Sequence, residues 1–257
     1  MTPTPRCFWR NCREENVEVA AYIVCRLLAR VAFLFSLLVL WAIGVPAQET
    51  SNEGWPQVDT YVKLSSDVQV LATVTEHVAS DSKDTDFRIG PTIFYHAPAL
   101  FHGEVLRHRY EDNRFLSLGA GYLYITPGPG GTGSVEQRGI LQLTPRLPLP
   151  RKLLLIDRNQ ADLRWISKSF YWRYRNQLTL QRNFSIHKYS FTTYVQGELQ
   201  YYSKYGTWYR TTYSAGARLP VGKIVEFEPY YEHENTSQGK PARINAVGLI
   251  LSLFFRD

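Results

Sequence analysis

The chain has 257 residues, a formal net charge of +6, 14% aromatic residues and a mean hydropathy of −0.26. That hydropathy excludes a polytopic helical membrane protein. No stripe of Lys and Arg tracks a nucleic-acid backbone, so nucleic acid is not an expected partner. The aromatic content suits β-strands, either in the girdles of a membrane barrel or in the core of a soluble sandwich.

All three cysteines, Cys7, Cys12 and Cys25, lie in residues 1–47. The same stretch carries Arg6, Arg10, Arg13, Arg26 and Arg30 against Glu14, Glu15 and Glu18, a surplus of two that leaves +4 for the rest. Arg26 and Arg30 precede the apolar run from Val31 to Ile43, and Gly44-Val45-Pro46-Ala47 follows. Basic region, apolar core and small residues stand in the order of an export signal, and cleavage is expected after Ala47. An uncleaved anchor is the alternative, but the apolar run is short of the roughly 20 residues a spanning helix needs. Residues 1–24 form an unusual leading extension. The expected division is 1–47, extension and signal, and 48–257, the exported domain. That domain has no cysteine, so it uses neither disulfide nor thiolate chemistry, in keeping with an oxidising compartment.

From Gln48 onward, alternation of apolar and polar residues recurs between short turn-like breaks, with no helical period. Strands are expected near 57–64, 68–77, 85–96, 114–126, 135–147, 153–166, 169–181, 188–202, 207–219, 223–232 and 242–255. The breaks are rich in Gly, Pro, Ser and Asp, as at 127–131, 203–206, 220–222 and 237–239. Consecutive hairpins of this kind make an antiparallel meander. Bacterial single-chain barrels have an even strand count. Eleven strands therefore suggest a twelfth hidden in 97–113, or one spurious early strand and a total of ten. The expected fold is all-β, an antiparallel up-and-down transmembrane barrel of about twelve strands.

The clearest alternation runs from Lys168 to Tyr202. Phe170, Trp172, Leu178 and Leu180 share one face, and Arg173, Arg175, Gln177 and Gln181 the other, because successive strand side chains point to opposite sides. The same reading turns Tyr189, Phe191, Val195 and Leu199 outward against Gln196, Glu198 and Gln200. Tyr209, Tyr213, Ala215 and Leu219 go outward against Arg210 and Arg218. Val225, Phe227 and Tyr231 go outward against Glu226, Glu228 and Glu232. In a closed barrel the polar faces line one lumen, where opposite charges could pair across it. Arg158, Asp162, Arg164, Arg173, Arg175, Glu198, Arg210, Arg218, Glu226 and Glu228 are the expected lining. They either fill and stiffen a narrow barrel or select small solutes. Phe255, two residues from the end, approximates the closing aromatic of outer-membrane barrels.

Asp157-Arg158-Asn159-Gln160-Ala161-Asp162-Leu163-Arg164 and Trp172-Arg173-Tyr174-Arg175-Asn176-Gln177-Leu178 resemble a bacterial family catalogued as domain of unknown function 2490. So do Gly206-Thr207-Trp208-Tyr209-Arg210-Thr211, Glu228-Pro229-Tyr230-Tyr231 and Asn245-Ala246-Val247-Gly248-Leu249. The likeness is strongest from about 157 to 255. It implies an outer-membrane β-barrel, with lipid as its surroundings, and supplies no catalytic residue.

No HExxH, GxSxG, P-loop or dinucleotide fingerprint is present. His96, His102 and His108 lack the carboxylate or cysteine spacing of a metal set, and no cofactor or metal is expected. His233 and Ser237 could form a nucleophile and base on a barrel's outer edge if their side chains met. A lipid-acting hydrolase is therefore one alternative to a small pore or structural barrel. A secreted β-sandwich binding module is the other.

Overall fold

The alternating segments become strands that hydrogen-bond in chain order into one ring. The computed structural model describes residues 50–79, 86–97, 114–128, 133–187, 189–238 and 242–255, all within the compact unit Gln48–Asp257. The expected signal and cleavage site, and His102 and His108, lie outside these residues. The strands are β1 (Thr50–Lys63), β2 (Val68–Ala79), β3 (Asp86–His96), β4 (Leu116–Pro127), β5 (Glu136–Leu149) and β6 (Leu153–Ile166). They continue as β7 (Ser169–Ile186), β8 (Tyr189–Tyr202), β9 (Thr207–Val221), β10 (Val225–Thr236) and β11 (Arg243–Phe255).

Each strand pairs antiparallel with the next, and β1 closes the ring against β11. The closing seam is parallel, with register from Thr50 opposite Arg243 to Val62 opposite Phe255. This corrects two expectations. The ring closes with eleven strands among the described residues, neither twelve nor ten. β3 bonds directly to β4, and the segment 97–113, where a twelfth strand was expected, lies outside the described residues apart from Ala97. An odd meander brings its first and last strands together running the same way, and their seam must then be parallel. A two-sheet sandwich is excluded, because one sheet closes on itself.

The polar start of β1, Ser51-Asn52-Glu53-Gly54, carries no strand pattern of its own. It is extended because β11 pairs with it. Pro56, Pro91, Pro145 and Pro229 sit inside strands, each where the ladder to one neighbour lapses. A residue without an N–H is tolerated where no ladder bond is asked of it. Beside one such gap, a Cβ on Gly90 would lie 1.9 Å from the Tyr122 carbonyl oxygen, so β3 and β4 approach more closely than any side chain allows.

One shielded register row crosses the sheet as Tyr194, Gly216, Tyr230, Gly248 and Trp55 on β8, β9, β10, β11 and β1. Rings alternate with glycines because each ring lies over its neighbour's missing side chain; a Cβ on Gly248 would meet the Tyr230 ring at 2.1 Å. Trp55, Ile244, Ala246 and Tyr230 form the small apolar core at the seam. Trp55 also stacks on His77 of β2 at 4.3 Å.

The outer face is graded along β9–β11. Thr211, Asn235 and Arg243 form a polar row next to one mouth. The next outward row is Tyr213, His233 and Asn245, and then come Ala215, Tyr231 and Val247. Leu219–Phe227–Leu251 and Val221–Val225–Leu253 continue toward the far mouth. Val247 to Phe255 covers about 26 Å along the strand, or about 20 Å of height at a tilt of ~40°.

Candidate functional site: a buried ion-pair ladder

In a closed barrel the shielded face is the inner one, and there the charged residues meet. Asp162 lies directly opposite Arg173 across β6 and β7. It accepts a hydrogen bond at 2.8 Å from that guanidinium's Nε, whose Nη2 lies 2.6 Å from the same oxygen, and another at 2.7 Å from Gln160. Asp162 is wholly shielded from solvent. Glu198 of β8 accepts from Arg175 Nε and Nη2, both at 2.9 Å, from Arg158 Nη2 at 3.1 Å and from Gln200 at 2.6 Å. Arg158 reaches it from β6, across β7, and also bonds to Gln177 on the way.

On β5, Glu136 resolves a like-charge conflict. Arg138 and Arg164 stand directly opposite each other, an arrangement that repels. Glu136 accepts from Arg138 Nε at 2.7 Å and from Arg164 Nε and Nη2 at 2.7 and 2.6 Å. Further round, Arg210 donates to Glu234 at 2.8 Å. Arg218 donates to Glu228 at 3.2 Å and to Gln181 at 2.9 Å. Glu226 is buried, in register with Ser252.

The sequence-expected residues thus fall into groups: Asp162 with Arg173, Glu198 with Arg158 and Arg175, Arg218 with Glu228, and Arg164 and Arg210 on glutamates not expected as partners. Glu136 and Glu234 are the missed residues. Glu136 and Arg138 share a strand face by their spacing of two, which was a usable signal. Glu234 lies beyond the expected strand 223–232, because β10 runs four residues past its clear alternation. The ion pairs lie within one strand, as Glu136–Arg138 does, or join adjacent and next-adjacent strands along the wall, whereas pairing across the lumen was expected.

Tyr209 is a second correction. It was expected outward; it is buried and its hydroxyl donates to Gln200 at 3.2 Å. A bulge explains the change: Gln200 pairs with Arg210 but Tyr201 with Trp208, so Tyr209 is one residue too many and turns inward beside Arg210. A strict period of two fails past such an insertion.

The family-like segments work on both faces. Arg158, Gln160, Asp162, Arg173, Arg175 and Gln177 build the inner ladder. Between them, Asn176 donates to Asp157 at 2.7 Å and to Asn159 at 3.1 Å, and the Tyr174 hydroxyl donates to Asn159 at 2.5 Å. The second set alternates with the first and lies on the outer face.

His233 and Ser237 are not brought together. His233 Nδ1 bonds to Asn245 Oδ1 at 2.7 Å, and the Ser237 hydroxyl donates to the Tyr209 carbonyl at 3.1 Å. Their four-residue separation along extended chain is about 13 Å. His96 bonds to Ser117 at 2.7 Å, and Arg146 donates to the same hydroxyl at 2.6 Å. No group of three potential metal ligands occurs among the described residues.

A closed β-barrel with a shielded, ion-paired inner face and an apolar outer face is the class these observations define. Residues 100–245 match the family model described as a protein of unknown function, DUF2490, and the chain belongs to that family. No curated protein matched the chain significantly.

Proposed function

We propose that the protein is an outer-membrane β-barrel of a Gram-negative-type bacterium, delivered by an export signal within 1–47, and that its interior is a narrow, charge-lined pore. The carrying observation is the opposition of the two faces. Leu141, Val195, Leu199, Tyr213, Val247 and Leu249 stand out from the wall, each about half exposed, while carboxylates and guanidiniums fill the other side. A soluble barrel would put its apolar face inside. A barrel in lipid turns it outward and keeps its polar groups in the lumen.

Two features favour a pore over a solid plug. The ion pairs hug the wall, and solvent reaches two of the inner guanidiniums, leaving Arg158 33% and Arg210 26% exposed. Eleven strands also place the barrel between side-chain-filled eight-stranded barrels and open sixteen-stranded ones. The proposed passengers are small solutes and ions. Single-channel recording of the protein refolded into planar bilayers tests this: discrete small steps are expected. Silence from protein whose insertion is established by protease protection would overturn the pore and leave a purely structural barrel.

A further inference from the structure

We infer that the outer wall carries a binding site for the phosphate headgroup of an anionic lipid, at the mouth where β8–β11 meet. The site rests on the membrane reading above. A cleft of about 370 Å³ opens at the rim there, lined on the outer side by Trp208, Thr211, Asn235, Ser237 and Arg243 and on the lumen side by Arg210. Its floor is the outward row Thr211–Asn235–Arg243, set at the barrel's rim by the β9 bulge that turns Tyr209 inward and leaves Trp208 outward.

The donor set has the composition an anion requires. Arg243 has no ion pair among the described residues, and the side chains of Thr211 and Asn235 make no hydrogen bond among them. One guanidinium, one amide and one hydroxyl thus lie side by side with their donors unspent. The carboxylate closest in sequence, Glu234, points to the other face and is taken up by Arg210. A guanidinium binds phosphate in a planar, bidentate fashion.

The height of the cleft selects a lipid as the source of that phosphate. One row further along the wall stand Tyr213 and His233, and beyond them Tyr231 and Val247 begin the apolar band. Trp208 is 52% exposed at the cleft's edge. Tyr and Trp belong at the headgroup level of a bilayer, so the unspent donors lie where phosphates are and acyl chains end. A lipid seated there rests its chains on Leu199 and Tyr213 and presents its phosphate to Arg243.

The test is native mass spectrometry of the detergent-solubilised full chain, titrated with phosphatidylglycerol or phosphatidylcholine. Phosphatidylglycerol is expected to be retained about fivefold more tightly, the contribution of one basic residue at a membrane surface. Arg243→Gln should abolish that preference, and Arg243→Lys should keep most of it. Thr211→Val with Asn235→Leu, which leaves the charge in place, should weaken retention further than Arg243→Lys does. Equal retention of the two lipids, or an unchanged preference in Arg243→Gln, would overturn the site. Displacement of phosphatidylglycerol by inorganic phosphate at comparable concentration would overturn the lipid assignment. Protease protection in vesicles separates the two readings: protein that fails to insert sinks the membrane proposal with this one, while inserted protein without headgroup preference sinks only this one.

Discussion

Replacing Glu136 by Gln should be among the most damaging conservative changes in this chain. The Glu136 carboxylate accepts three hydrogen bonds from two guanidiniums, at 2.6–2.7 Å, and those guanidiniums belong to residues directly opposite each other. Bonds to charged groups contribute about 1.5–3 kcal/mol each, so a simple sum would exceed 4 kcal/mol. Solvent that reaches the arginines once the carboxylate is gone offsets part of it, and removing one partner of a buried ionic cluster costs about 3–5 kcal/mol. The expected loss is therefore about 3–5 kcal/mol, read by equilibrium urea unfolding of the vesicle-folded protein through tryptophan fluorescence, with unchanged slope. The double variant Glu136→Gln with Arg164→Gln removes the repulsion as well, and should recover at least about 1 kcal/mol. A loss below about 1 kcal/mol in the single variant, or no recovery in the double, would refute the picture of one carboxylate holding two opposed arginines.

Arg173→Gln with Arg175→Gln leaves Asp162 and Glu198 short of positive charge, so the pore should shift toward cations; an unchanged reversal potential in a salt gradient would contradict the proposed lining. Gly90→Ala drives a methyl into the Tyr122 carbonyl at 1.9 Å, and no side-chain rotation relieves a backbone clash; the yield of folded, heat-modifiable barrel should collapse, and normal yield would mean that β3 and β4 can separate there. The nearest atoms that a Gly248→Ala methyl meets are those of the Tyr230 side chain, which can shift, so the variant should fold, with a loss of about 1–3 kcal/mol, and Gly248→Ala combined with Tyr230→Leu should lose less than the two changes added. Ser167 holds φ near 56° in the β6–β7 turn, and Ser167→Gly should raise stability by up to about 1 kcal/mol; a destabilised variant would show that the serine hydroxyl matters more than the backbone.

The strand positions were legible because each strand writes its own alternation, and ten of the eleven start within two residues of their expected place. The exceptions have long-range causes. The start of β1 has no pattern, and only β11 makes it a strand. The even count failed because closure is a property of the whole ring: no segment announces that its partner, two hundred residues away, will run parallel. Tyr209 shows the limit of a fixed period, since a single inserted residue reverses every side chain beyond it until the register resumes. The ion-paired residues were visible as face members, but their partners were not. Whether Arg164 meets Asp162 or Glu136 depends on cross-strand register, which is set by turns and bulges and not by residue type.

The seam between β1 and β11 also governs how the molecule comes into being. Every other adjacent pair in the ring is consecutive in the chain, so ten hairpins can zip locally. The seam joins residues 193 positions apart throughout its length, as Thr50 with Arg243 shows. Loop-closure entropy makes such a contact the last to form, and parallel pairing gives slightly less per residue when it does. The rate of assembly is therefore set by one event, the meeting of the two edge strands. Until then, each edge carries a full row of unpaired amides able to capture another chain.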